Sequence, residues 1–437
     1  MATPQESGGV SGPSPFSVPE VSLPKGGGAV RGIGEKFAAT AVSGTGALTV
    51  PIALTPGRDG FGPTLTLSYD SGTGNGPFGV GWSLSSPSIT RKTEKGTPSY
   101  RDDVDSDIYI LSGYEDLVPA LKRKHTGAWR TVEYDRDRYR VKQYRPRVEG
   151  LFARIERWTR ADDGAIHWRT ISKDNVLTVF GDTADSRIAD PEHPSRVFSW
   201  LVARSYDDRG NAIHYEYAGE SEERIDFRKV SECRRARTAN RYLKRVFYGN
   251  RRPLLLDPSV QGFRAPHLPR PRCDPDDWLF ELVFDYGDEG FAREGPNKHG
   301  HVHVRFDTRG ERPVRQDPFS TFRAGFEIRT YRLCRRALMY HRFPDELSTD
   351  RYLVRATGFE YAERPFGSFM TRVVQSGYRR LEDARYLEKS LPPVDLSYST
   401  NPLAEENTND YVVQEADAGI IAGIPGGSTH QRLVGSI

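Results

Sequence analysis

Three closely spaced histidines are the most metal-like feature of the sequence. His299, His301 and His303 alternate with Gly300 and Val302, so a strand here would place all three imidazoles on one face. Neutral imidazole is a good ligand for zinc or nickel. The three side chains are therefore candidate metal ligands. The alternative is exposed or cross-strand-packed histidines, because same-face positions on one strand splay apart.

Motifs for nucleophilic catalysis and for phosphate binding are missing from the sequence. Neither the G-x-S-x-G of α/β-hydrolases nor the H-E-x-x-H of metalloproteases occurs. The glycine-rich segment 72–76 has no following Lys-Ser or Lys-Thr, and it leads into Pro77 and Phe78 rather than into a helix. We therefore interpret this segment as a turn, and we expect no bound cofactor.

The charge balance argues against nucleic acid as a partner. The chain has 62 basic and 59 acidic residues, for a formal net charge of +3. The two signs are interspersed, as in residues 134–140, where Asp and Arg alternate between tyrosines. A dedicated nucleic-acid binder would show a strongly basic face. Such interspersed charges predict a solvated strand face with cross-strand ion pairs.

Cysteines and the N-terminus indicate where the chain folds. Cys233, Cys273 and Cys334 are odd in number and form no C-x-x-C, so we expect neither a disulfide framework nor a cysteine-based zinc site. Residues 1–10 have neither the basic nor the apolar part of a secretory signal peptide. No apolar run approaches the ~20 residues of a membrane helix. These features predict folding in a reducing cytoplasm, with no membrane span.

The elements that would position these residues are strands. Residues 64–69 alternate strictly between polar and apolar side chains, and residues 200–217 form two strand-like runs around a polar turn. Part of the charged segment 221–237 is a candidate surface helix, and the Pro- and Arg-rich segment 250–277 reads as a long loop. The pattern predicts an all-β fold, a large curved antiparallel sheet of many hairpins with few short helices.

Composition divides the chain into three parts. Residues 1–30 are rich in Ser, Gly and Pro, and we expect them to form a flexible arm. Residues 31–400 carry the strand patterns and form the β domain. Residues 401–437 show no strong strand or helix pattern, and we expect that tail to be poorly ordered alone.

Three segments carry a resemblance to a known family. The turn at 206–211, with Tyr-Asp followed by Gly-Asn, looks like a YD (Rhs) repeat unit. Residues 60–82 resemble the signature opening of the SpvB-type domain, and residues 317–334 resemble a block near the end of that domain. The resemblance covers approximately residues 15–400. It identifies the chain as similar to the N-terminal domain of SpvB-type proteins and of Tc-toxin B components, with a Rhs/YD-like β-shell.

This resemblance implies a non-enzymatic structural module of a secreted bacterial toxin complex. In Tc toxins the B and C components form a hollow β-cocoon around a toxic polypeptide, and a propeller docks the cocoon on a pore-forming A component. The implied partners are a C-type subunit or a downstream cocoon segment, and a pore-forming A component. The implied location is extracellular, after synthesis in the bacterial cytoplasm and export without a classical signal peptide.

Two other function classes remain open. In SpvB itself this kind of domain precedes an ADP-ribosyltransferase, which needs a Ser-Thr-Ser strand and a Glu-x-Glu loop. Glu220 and Glu222 have that spacing, but no Ser-Thr-Ser occurs, and a solvated loop is the alternative. Residues 401–437 are also too few for a propeller or a transferase. The two alternatives to a structural module are the N-terminal delivery domain of an ADP-ribosyltransferase toxin and a surface adhesin or carbohydrate-binding module.

Overall fold

The computed structural model describes most of the predicted β domain. The described residues are 33–40, 45–112, 116–233, 235–255, 262–269, 274–307 and 310–398. The predicted arm at 1–30, the predicted tail at 401–437 and Cys273 lie outside them. The predicted boundaries of the β domain, 31 and 400, therefore stay predictions.

Strands dominate the described residues, as the sequence predicts. The first half of the chain contains Lys36–Thr40 (β1), Thr45–Pro51 (β2), Thr66–Asp70 (β3), Asn75–Gly76 (β4), Gly79–Val80 (β5), Trp82–Leu84 (β6), Ser88–Arg91 (β7), Tyr109–Leu111 (β8), Asp116–Pro119 (β9), Leu121–Arg123 (β10), Trp129–Thr131 (β11), Glu133–Arg136 (β12), Tyr139–Pro146 (β13), Arg154–Arg160 (β14), Ile166–Ile171 (β15), Leu177–Phe180 (β16), Arg187–Ala189 (β17), Val197–Tyr206 (β18) and Ala212–Gly219 (β19).

The second half continues the same pattern. Its strands are Arg241–Asn250 (β20), Trp278–Asp285 (β21), Phe291–Glu294 (β22), Val302–Phe306 (β23), Phe319–Thr321 (β24), Ile328–Thr330 (β25), Arg336–His341 (β26), Tyr352–Arg364 (β27), Gly367–Arg380 (β28), Tyr386–Ser390 (β29) and Val394–Asp395 (β30). The one α-helix of the described residues is Pro344–Leu347 (α1). Short 3-10 turns lie at Arg58–Gly60, Ala184–Ser186, Val230–Glu232, Gly262–Arg264 and Pro275–Asp277.

Most of these strands join one sheet of 20 strands, and a separate four-stranded sheet has the order β1-β2-β3-β6. The other described strands form the hairpins β4-β5, β10-β11 and β24-β25. All of the strand pairings are antiparallel, as the hairpin-rich pattern predicts. In the described residues, no helix is long and apolar enough to cross a membrane.

Eight strands of the large sheet close into a ring. The strand β7 pairs with β8, β8 pairs with β9, and β9 pairs with β13. Strands β13, β14, β15 and β16 pair in succession. Strand β16 then pairs with β18, and β18 pairs with β7, which closes the ring. The closing pairs are distant in sequence: Ile89 of β7 lies opposite Trp200 of β18, and Leu117 of β9 lies opposite Pro146 of β13. Closure gives each of these strands a neighbour on both sides.

Aromatic side chains fill the inner face of this ring. Tyr109, Tyr144, Trp168 and Trp200 are all buried. The ring centroids of Tyr109 and Trp168 are 4.8 Å apart, and those of Tyr144 and Trp168 are 5.0 Å apart, both with edge-to-face geometry. Because eight strands leave an interior just wide enough for side chains, the ring encloses a packed core and not a channel.

Three buried cations share the inner face with these aromatics. An acidic loop, residues 99–107, supplies their partners. The ion pairs are Arg91 with Asp102 and Asp107 at 2.7 Å each, Arg157 with Asp105 at 2.9 Å, and Lys142 with Asp105. Since an unpaired buried charge costs several kcal/mol, the loop and the ring depend on each other.

Beyond β18 the sheet continues through β19, β20, β21 and β26 to β29, and then to β23 and β22. This part curls around a second core, whose buried members are Val283, Val304, Leu338, Tyr340, Leu353, Ala356 and Tyr386. The predicted large curved sheet is therefore confirmed.

The predicted hairpin at 200–217 is present as β18 and β19, with Tyr206 opposite Ala212. Its turn is closed by Asp207, whose Oδ1 accepts from the backbone N–H groups two and four residues ahead, at 3.0 and 2.7 Å. Asp285 makes the same two bonds after β21, at 2.7 and 3.2 Å. Residues 285–289 thus build the same type of turn.

The predicted surface helix within 221–237 is wrong, because the described part of this segment forms turns and the short 3-10 element Val230–Glu232. Polar side chains of the segment are held by tertiary contacts. Glu232 pairs with Arg329 at 2.5 Å, and Arg237 donates to the hydroxyl of Tyr331 at 3.2 Å. These bonds fix the chain as an irregular connection. The described parts of 250–277 are mainly loop, as predicted.

We predict that Trp200→Ala destabilises the protein by about 3–5 kcal/mol, because it opens a cavity among aromatics. It also removes the indole that donates to the carbonyl of Ile166 at 2.9 Å. Trp129→Ala is the matched control, since Trp129 is 65% exposed, and it should change stability by less than about 0.5 kcal/mol. Urea unfolding followed by fluorescence measures both. Equal losses in the two variants would contradict the packed interior.

Candidate functional site

The three candidate metal ligands lie in a row at one turn. His299 is in the turn itself and His303 is in β23, so the three residues do not lie on one strand. The side-chain amide oxygen of Asn297 fixes the turn by accepting from the backbone of His299 and His301 at 2.9 and 3.0 Å.

Neighbouring imidazole rings in this row are 6.3 and 6.4 Å apart between centroids. Over the described ranges, no three His, Cys, Asp or Glu side chains are grouped closely enough to hold a metal ion. A metal site at His299, His301 and His303 would need these side chains to rotate together. It stays a prediction, which a zinc titration would decide.

Glu220, the first acid of the Glu-x-Glu spacing, is fully enclosed. Arg332 Nε donates to its Oε1 at 2.9 Å, and both side chains are 0% exposed. Its Oε2 accepts from the backbone N–H of Tyr331 at 2.9 Å and from the hydroxyl of Tyr242. Both carboxylate oxygens are therefore occupied by fixed donors, and the expected solvated loop is wrong at this residue.

Glu222 behaves differently, because its side chain is 61% exposed and its contact with Arg237 is 3.5 Å long. The two acids of the pair thus do not face one site. Burial together with the neighbouring Glu220 carboxylate raises the pKa of Tyr242 well above its ordinary value. In physical terms, Glu220 and Arg332 are a buried ion pair that joins the β19 connection to the segment after β25.

Two of the three segments that carry the family resemblance, 60–82 and 317–334, meet in space. Asn75, from the first segment, donates to Asp317 Oδ2 at 2.7 Å, and Asp317 begins the second segment. Arg315 joins both, with bonds of 2.7 Å to Asn75 Oδ1 and to the carbonyl of Gly76, and bonds of 2.8 and 2.7 Å to Asp317. Ser368 of β28 adds a third attachment to Asp317. We call these side chains, Asn75, Arg315, Asp317 and Ser368, the Asp317 clamp.

Glycines beside the clamp allow the close approach that it needs. A Cβ on Gly79 would lie 2.5 Å from the carbonyl oxygen of Ser368, and one on Gly81 would lie 2.4 Å from the Tyr69 ring. Both glycines have positive φ, which other residues adopt only with strain. At Gly81 the backbone thus packs directly against an aromatic ring.

The clamp sets the charge state of Asp317. Burial alone would raise its pKa, but the hydrogen bonds from Arg315, Ser368 and Asn75 and the charge of Arg315 outweigh burial and lower it. Arg315 is 2% and Asp317 5% exposed, so the pair is ionised and shielded from solvent. The clamp joins two segments that are distant in sequence, and its side-chain polar groups all have hydrogen-bond partners.

Sequence reasoning missed one further feature, a cavity rich in arginine on the outer face of the ring. Its basic lining residues come from four different strands: Arg160 (β14), Arg169 (β15), Arg187 (β17) and Arg204 (β18). The clustering of these arginines can be recognised only from which residues lie opposite one another in neighbouring strands. Arg169 lies opposite Val179, and Val179 lies opposite Arg204, so the two arginines share one face two strands apart.

Comparison with known proteins gives a consistent result. The sequence model of the family described as Salmonella virulence plasmid 65kDa B protein matches residues 40–343. The Mono(ADP-ribosyl)transferase SpvB of Salmonella choleraesuis strain SC-B67 is 37% identical over 350 residues. That alignment covers 79% of this chain and 54% of the relative. The chain therefore spans about half the length of this curated relative.

Two solved structures share the fold. The N-terminal domain of effector protein SpvB from Salmonella typhimurium strain LT2 matches with a TM-score of 0.64 and 36% identity, covering 76% of this chain and 98% of that one. The crystal structure of TcdB2-TccC3 matches with a TM-score of 0.69 and 34% identity, covering 88% of this chain and 18% of that one. This region therefore corresponds to a complete domain in one case and to a minor part of a large chain in the other.

We predict that Asp317→Asn destabilises the protein at pH 7 by about 3 kcal/mol, because it leaves the Arg315 guanidinium buried without its carboxylate. The folded-state pKa of Asp317 lies below its unfolded value. The stability that its charge contributes is therefore full above about pH 4 and is lost as the pH falls further. Urea unfolding at pH 7 and at pH 3 should show the difference from wild type shrinking at the lower pH.

Asp103→Asn is the matched control for this experiment, since Asp103 is exposed and lies outside the clamp. It should leave the unfolding free energy unchanged at both pH values. A stability difference for Asp317→Asn that stays constant between pH 7 and pH 3 would contradict an ionised Asp317 in the folded protein.

Proposed function

We propose that this chain, which belongs to the family of the Salmonella virulence plasmid 65kDa B protein, is a structural module of a bacterial toxin complex. It forms part of the wall of a β-cocoon that encloses or supports a toxin polypeptide. The observation that carries the proposal is the likeness to TcdB2-TccC3 along 88% of this chain. The large curved sheet is a suitable wall, since its inner aromatics and paired charges make it stiff.

Several features support a role without catalysis in this chain. The buried acids that could serve as acid or base, Glu220 and Asp317, are held by arginine and by further donors. Such saturated pairs stabilise a fold and leave neither of these two carboxylates poised for proton transfer. The buried Cys334 is no better suited as a nucleophile, because burial raises the pKa of its thiol well above the ordinary value.

The proposed partners follow from the same likeness. A C-type subunit, the counterpart of TccC3, or a downstream cocoon segment would complete the wall around the cargo. A pore-forming A component is the second proposed partner, as the route by which the cargo reaches its target. In this proposal the complex is made in the bacterial cytoplasm and acts outside the cell, after export without a classical signal peptide.

A second candidate function is delivery of an ADP-ribosyltransferase. It is favoured by the 37% identity to proteins named Mono(ADP-ribosyl)transferase SpvB and by the fit to the N-terminal domain of that effector. In this alternative the module carries an enzyme as a further part of the same polypeptide, and no separate cargo subunit is enclosed.

Protease protection tests the proposal. The chain is co-expressed with a C-type subunit related to TccC3, and the purified complex is treated with a nonspecific protease. We predict that the cargo segment survives in the wild-type complex and in the Trp129→Ala complex. It should be degraded in the Trp200→Ala complex, because that substitution weakens the wall.

Two results would contradict the proposal that this chain forms part of a cocoon wall. A cargo that is digested equally with and without this chain would contradict enclosure. Transfer of ADP-ribose from NAD to a protein acceptor by the same polypeptide, with no associated subunit, would favour the delivery alternative instead.

A further inference from the structure

The cavity on the outer face of the ring has a volume of about 140 Å³. A single water needs only about 10–15 Å³ in such a cavity, so a small polyatomic ligand would fit. Its floor is the outer face of β14 to β18, and the segment 266–268 lines its rim. We call it the arginine cavity.

The arginine cavity contains more positive than negative charge. Arg160, Arg169, Arg187 and Arg204 line it, and Asp182 is the one acid among its described lining residues. Arg160 is partly compensated at the surface by Asp163, at 2.8 Å. This leaves an excess of guanidinium groups in a partly enclosed cavity.

The buried base of the cavity shows the electrostatic cost of this arrangement. Burial, with smaller contributions from the surrounding arginines, holds the pKa of His167 well below its ordinary value. Burial is also the main cause that lowers the pKa of Arg169 to about 10; the charge of Glu156 opposes this shift, and the charge of Arg204 adds to it. Like charges held together away from solvent are unfavourable, and a bound anion would offset them.

Arg169 is rigidly positioned within this cluster. Its guanidinium donates to the carbonyls of Ala265 and Pro266 at 2.6 and 3.0 Å and to His167 Nε2 at 3.2 Å. Its Cζ also lies 3.7 Å from the Trp158 ring centroid. These neutral contacts fix the geometry of the guanidinium and leave its charge uncompensated by a directly bonded carboxylate.

Arg204 provides an independent observation, a buried donor without an acceptor in the described part of the chain. The residue is 6% exposed, and its Nη2 is paired with Asp182. Its Nη1 is buried and has no hydrogen-bond partner among the described residues. A buried guanidinium N–H without an acceptor costs roughly 1–3 kcal/mol or more in a folded protein. Arg204 lines the cavity together with Arg169 and Arg187.

We propose that the arginine cavity is a binding site for a small tetrahedral oxyanion, of the phosphate or sulfate class. Guanidinium groups match the oxygens of such an anion geometrically and electrostatically. The ligand would accept from Arg204 Nη1 and lie against Arg169 and Arg187. Since the lining comes from β14, β15 and β18 of the ring and from β17, which pairs with β18, the anion would join neighbouring strands on the outer face. Free phosphate and the phosphate group of a larger metabolite are the two sources of this chemistry.

Calorimetric titration of the whole chain with inorganic phosphate tests the site, with sodium chloride at matched ionic strength as the blank. We expect saturable 1:1 binding of phosphate and no saturable heat with chloride. Arg204→Gln and Arg187→Gln should each weaken binding by about tenfold or more, because each removes a charge-assisted donor. Adenosine monophosphate, titrated in parallel, distinguishes the sources: tighter binding than phosphate indicates a metabolite, and weaker binding indicates the free anion.

Arg140→Gln is the matched control, since that arginine is 70% exposed and pairs with Glu133 at the surface. It should bind phosphate as the wild type does. Arg187→Gln keeps the test decisive if Arg204→Gln does not fold, because Arg187 is only half-buried. Absence of saturable phosphate binding by wild type, or equal affinity in Arg187→Gln and Arg140→Gln, would overturn the proposal.

Discussion

Closure of the eight-stranded ring is the constraint on which the rest of the structure depends. The ring closes only because β7 pairs with β18 and β9 pairs with β13, across long stretches of sequence. Closure creates an interior that must be filled, and large aromatic side chains such as Trp168 and Trp200 fill it. It also makes the acidic loop 99–107 necessary, since the cations on the inner face need the carboxylates that this loop supplies.

The same requirement, that every buried charge be paired, explains the two signature segments. Asp317 and Arg315 lie far from Asn75 in sequence, and yet their side chains form one network with Ser368. Glu220 and Arg332 form a second buried pair. These pairs hold irregular connections against the curved sheet, where apolar packing alone is thin. The arginine cavity is the exception, and its excess of positive charge is the reason to expect a ligand there.

Much of the fold could be predicted from sequence, because alternation and turn chemistry are local. The strands at 64–69 and 200–217 and the turn at Asp207 depend on neighbouring residues. The ring, the clamp and the arginine cavity could not be predicted in this way, since they depend on pairings between distant strands. The same limit explains the errors. Glu220 belongs to a Glu-x-Glu triplet that local sequence predicts to be a solvated loop. It is buried instead, because it pairs with Arg332, which is 112 residues away.

Native-state hydrogen exchange tests the central claim most directly, namely that the closed ring makes this region one cooperative unit. The backbone amides of β7, β9, β13 and β18 should all exchange through the same global opening. Their opening free energies should then agree with one another and with the unfolding free energy from urea. Exchange of β7 and β9 at a much lower opening free energy than β13 and β18 would contradict the account, because the ring would then open without unfolding.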